Sequence, residues 1–309
     1  MRLLRPLPII GALVIALLIT ACGGGTGTSP SASVAPSGSA GGDLFPVPIS
    51  TQLVAGDNRF VFSFLDKQNQ PVASPDQTAS VQFIPQGQTA PVASGDGRFV
   101  WGIEDVRGVY VTNVKLPSAG PYTARFTTTL PGKSPETVDM QLDVLDKAAG
   151  IAVGDKAPAS KTPTLADVGG DVAKISSDKT PVQRFYETSV ADAVAANKPF
   201  VLVFATPKFC QSAQCGPTLD HVKNVVARYP DLTVINVEPY QLKEQDGGLQ
   251  PVTQGDPPQL VPVQSVLDWG ITSEPWIFVV GGDGVVRGSF EGIIAEDELQ
   301  ASIDGVVKG

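Results

Sequence analysis

Cys210 and Cys215 stand five positions apart just past an apolar run, and the chain has one other cysteine, Cys22. Two thiols near each other can close a disulfide, open it, and pass electrons to another sulfur. That exchange needs a thiolate, an in-line sulfur and a second thiol to resolve the mixed disulfide. On a continuous helix, residues five apart point about 140° away from each other. A disulfide needs Cα atoms within about 4.4–6.8 Å. Cys210 must therefore lie in an irregular loop if the pair is to close. The chain has one histidine, His221, and beyond the initiator one methionine, Met140. Sites built from several histidines are excluded on count, and neither a metal nor a cofactor is expected.

Cys22 closes an apolar N-terminal stretch, Pro6 to Ile19 followed by Thr20 and Ala21, which Arg2 and Arg5 precede. A charged start and a short apolar run match a secretory signal. Ile19-Thr20-Ala21-Cys22 resembles the bacterial lipobox. By that resemblance residues 1–21 are a signal peptide and Cys22 carries a lipid. The alternative is an uncleaved anchor helix. Either way the rest of the chain is expected on the extracytoplasmic face of the cell membrane, where disulfides persist. Residues 22–42 are rich in glycine, serine and proline. Such a segment cannot bury enough surface to offset its ordering entropy. It reads as a flexible spacer with a reach of roughly 25 Å.

Formal net charge is −9, and −11 without Arg2 and Arg5. No basic cluster is left to neutralise phosphates, so nucleic-acid binding is not expected. Electrostatic adhesion to anionic lipid is not expected either, which leaves the lipid on Cys22 as the membrane attachment.

Residues 43–146 read as an all-β sandwich. Phe60, Phe62 and Phe64 alternate with other residues, as do the apolar positions of residues 108–116, 122–130 and 136–145. Turn residues punctuate these runs at close intervals. Leu116-Pro-Ser-Ala-Gly-Pro-Tyr122 resembles the approach to a late strand in bacterial immunoglobulin-like modules. Residues 147–182 form a connecting and lead-in segment. From 183 to 309 helical and strand patterns alternate. A helix over 190–197 precedes an apolar strand over 200–205. A cysteine-bearing loop over 206–216 leads to a helix from Pro217 to about Tyr229, then a strand over 232–238. A polar insertion over 240–263, a short helix, two paired strands over 275–290 and a helix over 296–307 complete the chain.

Val201-Leu-Val-Phe-Ala-Thr-Pro-Lys-Phe-Cys210 and Trp269-Gly-Ile-Thr-Ser-Glu-Pro-Trp-Ile-Phe278 resemble two segments of the thioredoxin fold. That resemblance implies that residues 183–309 form an α/β thioredoxin-like domain, following the immunoglobulin-like sandwich. It implies a redox site of Cys210, Cys215 and Pro275, the last in a cis peptide facing the sulfurs. Partners would be cysteine-containing exported proteins or a membrane electron donor. The chain departs from the family in several places. Four residues separate its cysteines, where the family has two. Phe204 and Phe209 stand in place of the family's aspartate and tryptophan. Two registers remain open, since strand distance favours Cys210 as the attacking thiol, whereas Cys215-Gly-Pro-Thr218 places Cys215 at a helix start. Glu274 places a carboxylate near the sulfurs. Two other functions compete with exchange. One is a redox-inert scaffold lipoprotein with a structural disulfide. The other is a copper chaperone resembling the Sco type, with His221 approaching Cys215.

Overall fold

The computed structural model of the chain describes residues 42–308. The expected signal segment, Cys22 and nearly all of the spacer lie outside the described residues. Among the described residues, no helix is long and apolar enough to cross a membrane.

Nine strands occupy residues 44–145. They are β1 Leu44–Pro48, β2 Leu53–Val54, β3 Gly56–Asp66, β4 Thr78–Pro85, β5 Ala93–Asp96, β6 Arg98–Ile103, β7 Arg107–Leu116, β8 Gly120–Thr129 and β9 Glu136–Leu145. They pair into one sheet in the order β1-β3-β7-β6 and another in the order β2-β9-β8-β4-β5, giving a sandwich. Alternation explains its core. Phe60, Phe62 and Phe64 leave the same face of β3 and meet Phe83, Tyr110 and Phe126. All six are essentially inaccessible. Each such side chain contributes about 2–3 kcal/mol of burial. Short β1 and β5 escape sequence reading because prolines interrupt one and glycine and serine fill the other.

The opposite face of β3 is buried as well. Val61 packs with Val100, Val109 and Val111 against Ile293, far along the chain. A Cβ on Gly102 would come within 2.1 Å of Ile293 Cδ1, so any larger residue there would force the Ile293 side chain to move.

Residues after 186 form α1 Val190–Ala195, β10 Phe200–Phe204, α2 Cys215–Val226 and β11 Thr233–Val237. Two hairpins follow, β12 Leu242–Gln245 with β13 Gly248–Pro251, and β14 Thr253–Gln254 with β15 Gln259–Leu260. Next come α3 Gln264–Trp269, β16 Trp276–Val280, β17 Val286–Glu291 and α4 Glu296–Val307. The sheet order is β11-β10-β16-β17, with only the β11–β10 pair parallel. β10 and β16 are buried at every position because side chains cover both faces of the sheet. Val201 and Val203 meet Leu219 and Val222 of α2 and Leu299 and Ile303 of α4. Phe200, Leu202 and Phe204 meet Val190 of α1 and Val266 and Trp269 of α3. The connecting segment also packs inward, through Leu165, Val172 and Ile175.

The thioredoxin-like identification needs correction. The described chain is mostly strand, with 18% helix, and is not an α/β thioredoxin protein. The physical reason lies in how local the signals are. An apolar strand before a cysteine, and a proline opening a buried strand, record burial and turn chemistry only. They do not set the global balance of elements. The polar insertion, read as a loop, adds four strands to the nine of the sandwich.

Arg59 pins the sandwich to α4. Its Nε and Nη2 donate to the Glu298 carboxylate at 3.0 Å, Nη2 donates to the Ile293 carbonyl at 2.7 Å, and Nη1 to the Glu291 carbonyl at 3.2 Å. Burial pushes the Glu298 carboxyl up, but the Arg59 guanidinium prevails and holds it below the ordinary range. Both side chains are largely buried, so removing Arg59 leaves the Glu298 carboxylate with only the half-exposed Arg98, 3.3 Å away, as a charged partner. Arg59→Met is expected to cost about 3 kcal/mol in urea unfolding, with Arg59→Met/Glu298→Gln recovering part of the loss. An unchanged unfolding midpoint for the single variant would contradict this role.

Candidate functional site

Cys210 lies midway along the loop after β10, and Cys215 is the first residue of α2. The two are joined by a disulfide with Cα atoms 5.9 Å apart. The helix starts two residues before Pro217, because first-turn N–H groups have no intrahelical acceptor and a proline there forfeits nothing. Cys210 remains outside the helix, as closure requires. The loop turns at Ala213, whose φ of 59° is left-handed.

The cysteines differ sharply in access. Cys215 is fully buried, and Cys210 is partly exposed. Gln214, the residue before α2, offers no side-chain cap. The backbone N–H of Cys215 donates instead to Cys210 Sγ at 3.1 Å. The sulfur thus sits where a capping oxygen would, at the positive end of α2. Ser212 Oγ lies 3.4 Å from the same sulfur and donates to the Glu274 carbonyl at 3.0 Å.

Glu274 and Pro275 face this loop, joined by a cis peptide. The Glu274 side chain is almost wholly buried, yet both its oxygens are engaged. Oε1 accepts from the Gln211 backbone N–H at 2.9 Å, and Oε2 from the Tyr240 hydroxyl at 2.5 Å. Burial, and then the neighbouring Glu274 carboxylate, push the Tyr240 hydroxyl well above the ordinary tyrosine range. One oxygen of Glu274 and both sulfurs lie within 4.8 Å of one another. Among the described residues, this carboxylate completes the only such group of three.

The structure therefore brings Cys210, Cys215, Pro275 and Glu274 together. His221 does not join them. Its Nδ1 bonds to the Ile294 carbonyl at 2.8 Å, away from the role the copper-chaperone resemblance required. Trp276 and Phe278 are core residues, as strand positions beside a buried proline should be. Cys22 lies outside the described residues. Sequence reading missed Tyr240, Ser212 and Arg107. Arg107 reaches from the sandwich to donate to the Ser212 carbonyl at 3.4 Å. Only Tyr240 left a trace in the sequence, as an aromatic opening an otherwise polar insertion. A separate cleft of about 790 Å³ between the sandwich and the residues around Trp269 and Trp276 contains neither cysteine.

No family model and no curated protein matches the chain. Among solved structures, it is similar to a DUF4426 family protein from Pseudomonas aeruginosa PAO1, at 10% identity and a TM-score of 0.26. That match covers 36% of this chain and 99% of the other.

Below the loop, β11 runs into a second buried carboxyl. Glu238 Oε1 accepts from the Ser177 N–H at 2.6 Å. Burial pushes its pKa above the ordinary 4.5, and bonds from Thr206 and Ser177 only partly oppose this. A raised folded-state pKa favours the protonated form. Its stabilisation is complete below the unfolded pKa and is lost as pH rises through the folded value. Glu238→Gln cannot lose a proton. Its stability relative to the natural chain should therefore climb as pH rises above the ordinary carboxylate range, as followed by urea unfolding. A pH-independent difference would argue against a raised pKa.

Proposed function

We propose that the Cys210–Cys215 pair performs extracytoplasmic thiol–disulfide exchange from a membrane anchor at Cys22. The observation that carries this proposal is the asymmetry of the pair. A partly exposed sulfur sits at a helix N-terminus, and its partner is buried behind it. A substrate thiolate can reach Cys210 Sγ in line and form a mixed disulfide, with Cys215 leaving as a thiolate that takes up a proton. A second substrate thiol then displaces Cys210. The protein gains two electrons and two protons, and the substrate gains a disulfide. The reverse direction uses Cys210 as the attacking thiol and Cys215 as the resolving one. The helix end and the Cys215 N–H favour the Cys210 thiolate. The closeness of Glu274 opposes it. Cysteine-containing exported proteins or a membrane electron donor would be the partners. The sandwich, as an immunoglobulin-like module, would serve as a spacer or partner-binding unit.

The second reading is a permanent staple that holds the 210–215 loop on a redox-inert scaffold. The closed bond, with one sulfur buried, favours it. Alkylation across graded glutathione buffers separates the two. Exchange predicts a midpoint between about −120 and −270 mV, and a staple predicts resistance below about −300 mV. Exchange also predicts that Cys215→Ser traps mixed disulfides through Cys210, while Cys210→Ser traps few. Equal trapping by both variants would remove the proposed division of labour.

A further inference from the structure

A polar group carried into a protein interior has to be held by donors, and Glu274 is held by two that leave its carboxylate aimed at the sulfurs. The geometry points to a divalent-cation site formed by Cys210 Sγ, Cys215 Sγ and a Glu274 carboxylate oxygen, which exists only while the pair is reduced.

Spacing is the first ground. Around a tetrahedral zinc-like ion, with metal–sulfur bonds of about 2.3 Å and metal–oxygen bonds of about 2.0 Å, ligand atoms stand about 3.3–3.8 Å apart. The three atoms here already lie within 4.8 Å of one another. Opening the disulfide and small side-chain rotations suffice to surround an ion.

Support around the ligands is the second. Metal-binding carboxylates are typically oriented by outer hydrogen bonds. The Gln211 N–H and the Tyr240 hydroxyl supply one to each oxygen of Glu274. The Cys215 N–H donates to Cys210 Sγ, a partner that suits an anionic sulfur. Cys210 is partly exposed, which provides an entry path and leaves a fourth position for water.

Ligand chemistry chooses the ion. Two thiolates with one carboxylate suit a borderline ion such as Zn²⁺. Ca²⁺ and Mg²⁺ demand oxygen shells, and Cu⁺ selects sulfur over carboxylate. Binding transfers no electrons. The ion displaces two protons from the two thiols, so affinity rises with pH. The closed disulfide has no thiolate to offer, so oxidation and metal occupancy exclude each other. A bound ion would also withhold the pair from exchange. The site goes beyond the exchange proposed above and does not require it.

Co²⁺ titration of the full chain, reduced and oxidised, tests the site. The reduced chain should bind one Co²⁺ with thiolate-to-metal charge transfer in the near ultraviolet and tetrahedral visible bands. The oxidised chain should show neither. Glu274→Gln, which keeps the shape of the side chain, should weaken binding at least tenfold, and Tyr240→Phe should weaken it about tenfold with both thiols still open to alkylation. The site is overturned if reduction produces no charge-transfer band, if the oxidised chain binds equally, or if Glu274→Gln binds as tightly as the natural chain. A chain that binds Co²⁺ yet resists glutathione would retain the metal site and lose the exchange function.

Discussion

A carboxylate cannot be buried without donors, and that constraint organises the region around the disulfide. Glu274 lies beside the start of β16, where the sheet core excludes water. Its two oxygens are met by a backbone N–H from the cysteine loop and a hydroxyl from the residue that opens the polar insertion. One side chain thereby fixes three segments of chain against each other. The loop gains a preferred conformation, and Tyr240 is drawn inward from what would otherwise be a solvated stretch. The sulfurs inherit their position from this arrangement, because Ser212 and Gln211 both bond to Glu274 while sitting between the cysteines.

A comparable economy joins the sandwich to the rest of the chain. β3 presents aromatics to one side and Val61 to the other. A single strand thus belongs both to the sandwich core and to the contact with Ile293. Arg59, on the same strand, uses its planar fork to satisfy carbonyls at the end of β17 together with the first-turn carboxylate of α4. Arg107 extends the contact to the cysteine loop. The sandwich is therefore in direct contact with the backbone between the two cysteines.

Much of this could be read along the chain. Alternation located the longer sandwich strands, and the apolar run over 200–205 announced a strand covered on both faces. The closing helix expected over 296–307 has the bounds that the structure shows. The rule that five residues on a helix diverge required Cys210 to sit in a loop, and it does. Other parts were illegible. β5 has no apolar alternation, and the hairpins of the insertion are held by backbone pairing that polar residues do not advertise. The thioredoxin-like identification failed because it extended two local segments to all of residues 183–309, in a chain where strands outweigh helices.

The sequence alone determined periodicity, charge and the number of sulfurs, since these depend only on which residues stand near one another along the chain. It also put a carboxylate next to Pro275. Tertiary structure decided which groups share a volume. Burial separated Cys215 from Cys210, and Tyr240 and Arg107 came to the loop from distant segments. His221 was turned to a carbonyl of the residues before α4. Such pairings arise from sheet order and from the need to satisfy every buried polar atom, and neither is written in the spacing of residues along one strand or helix.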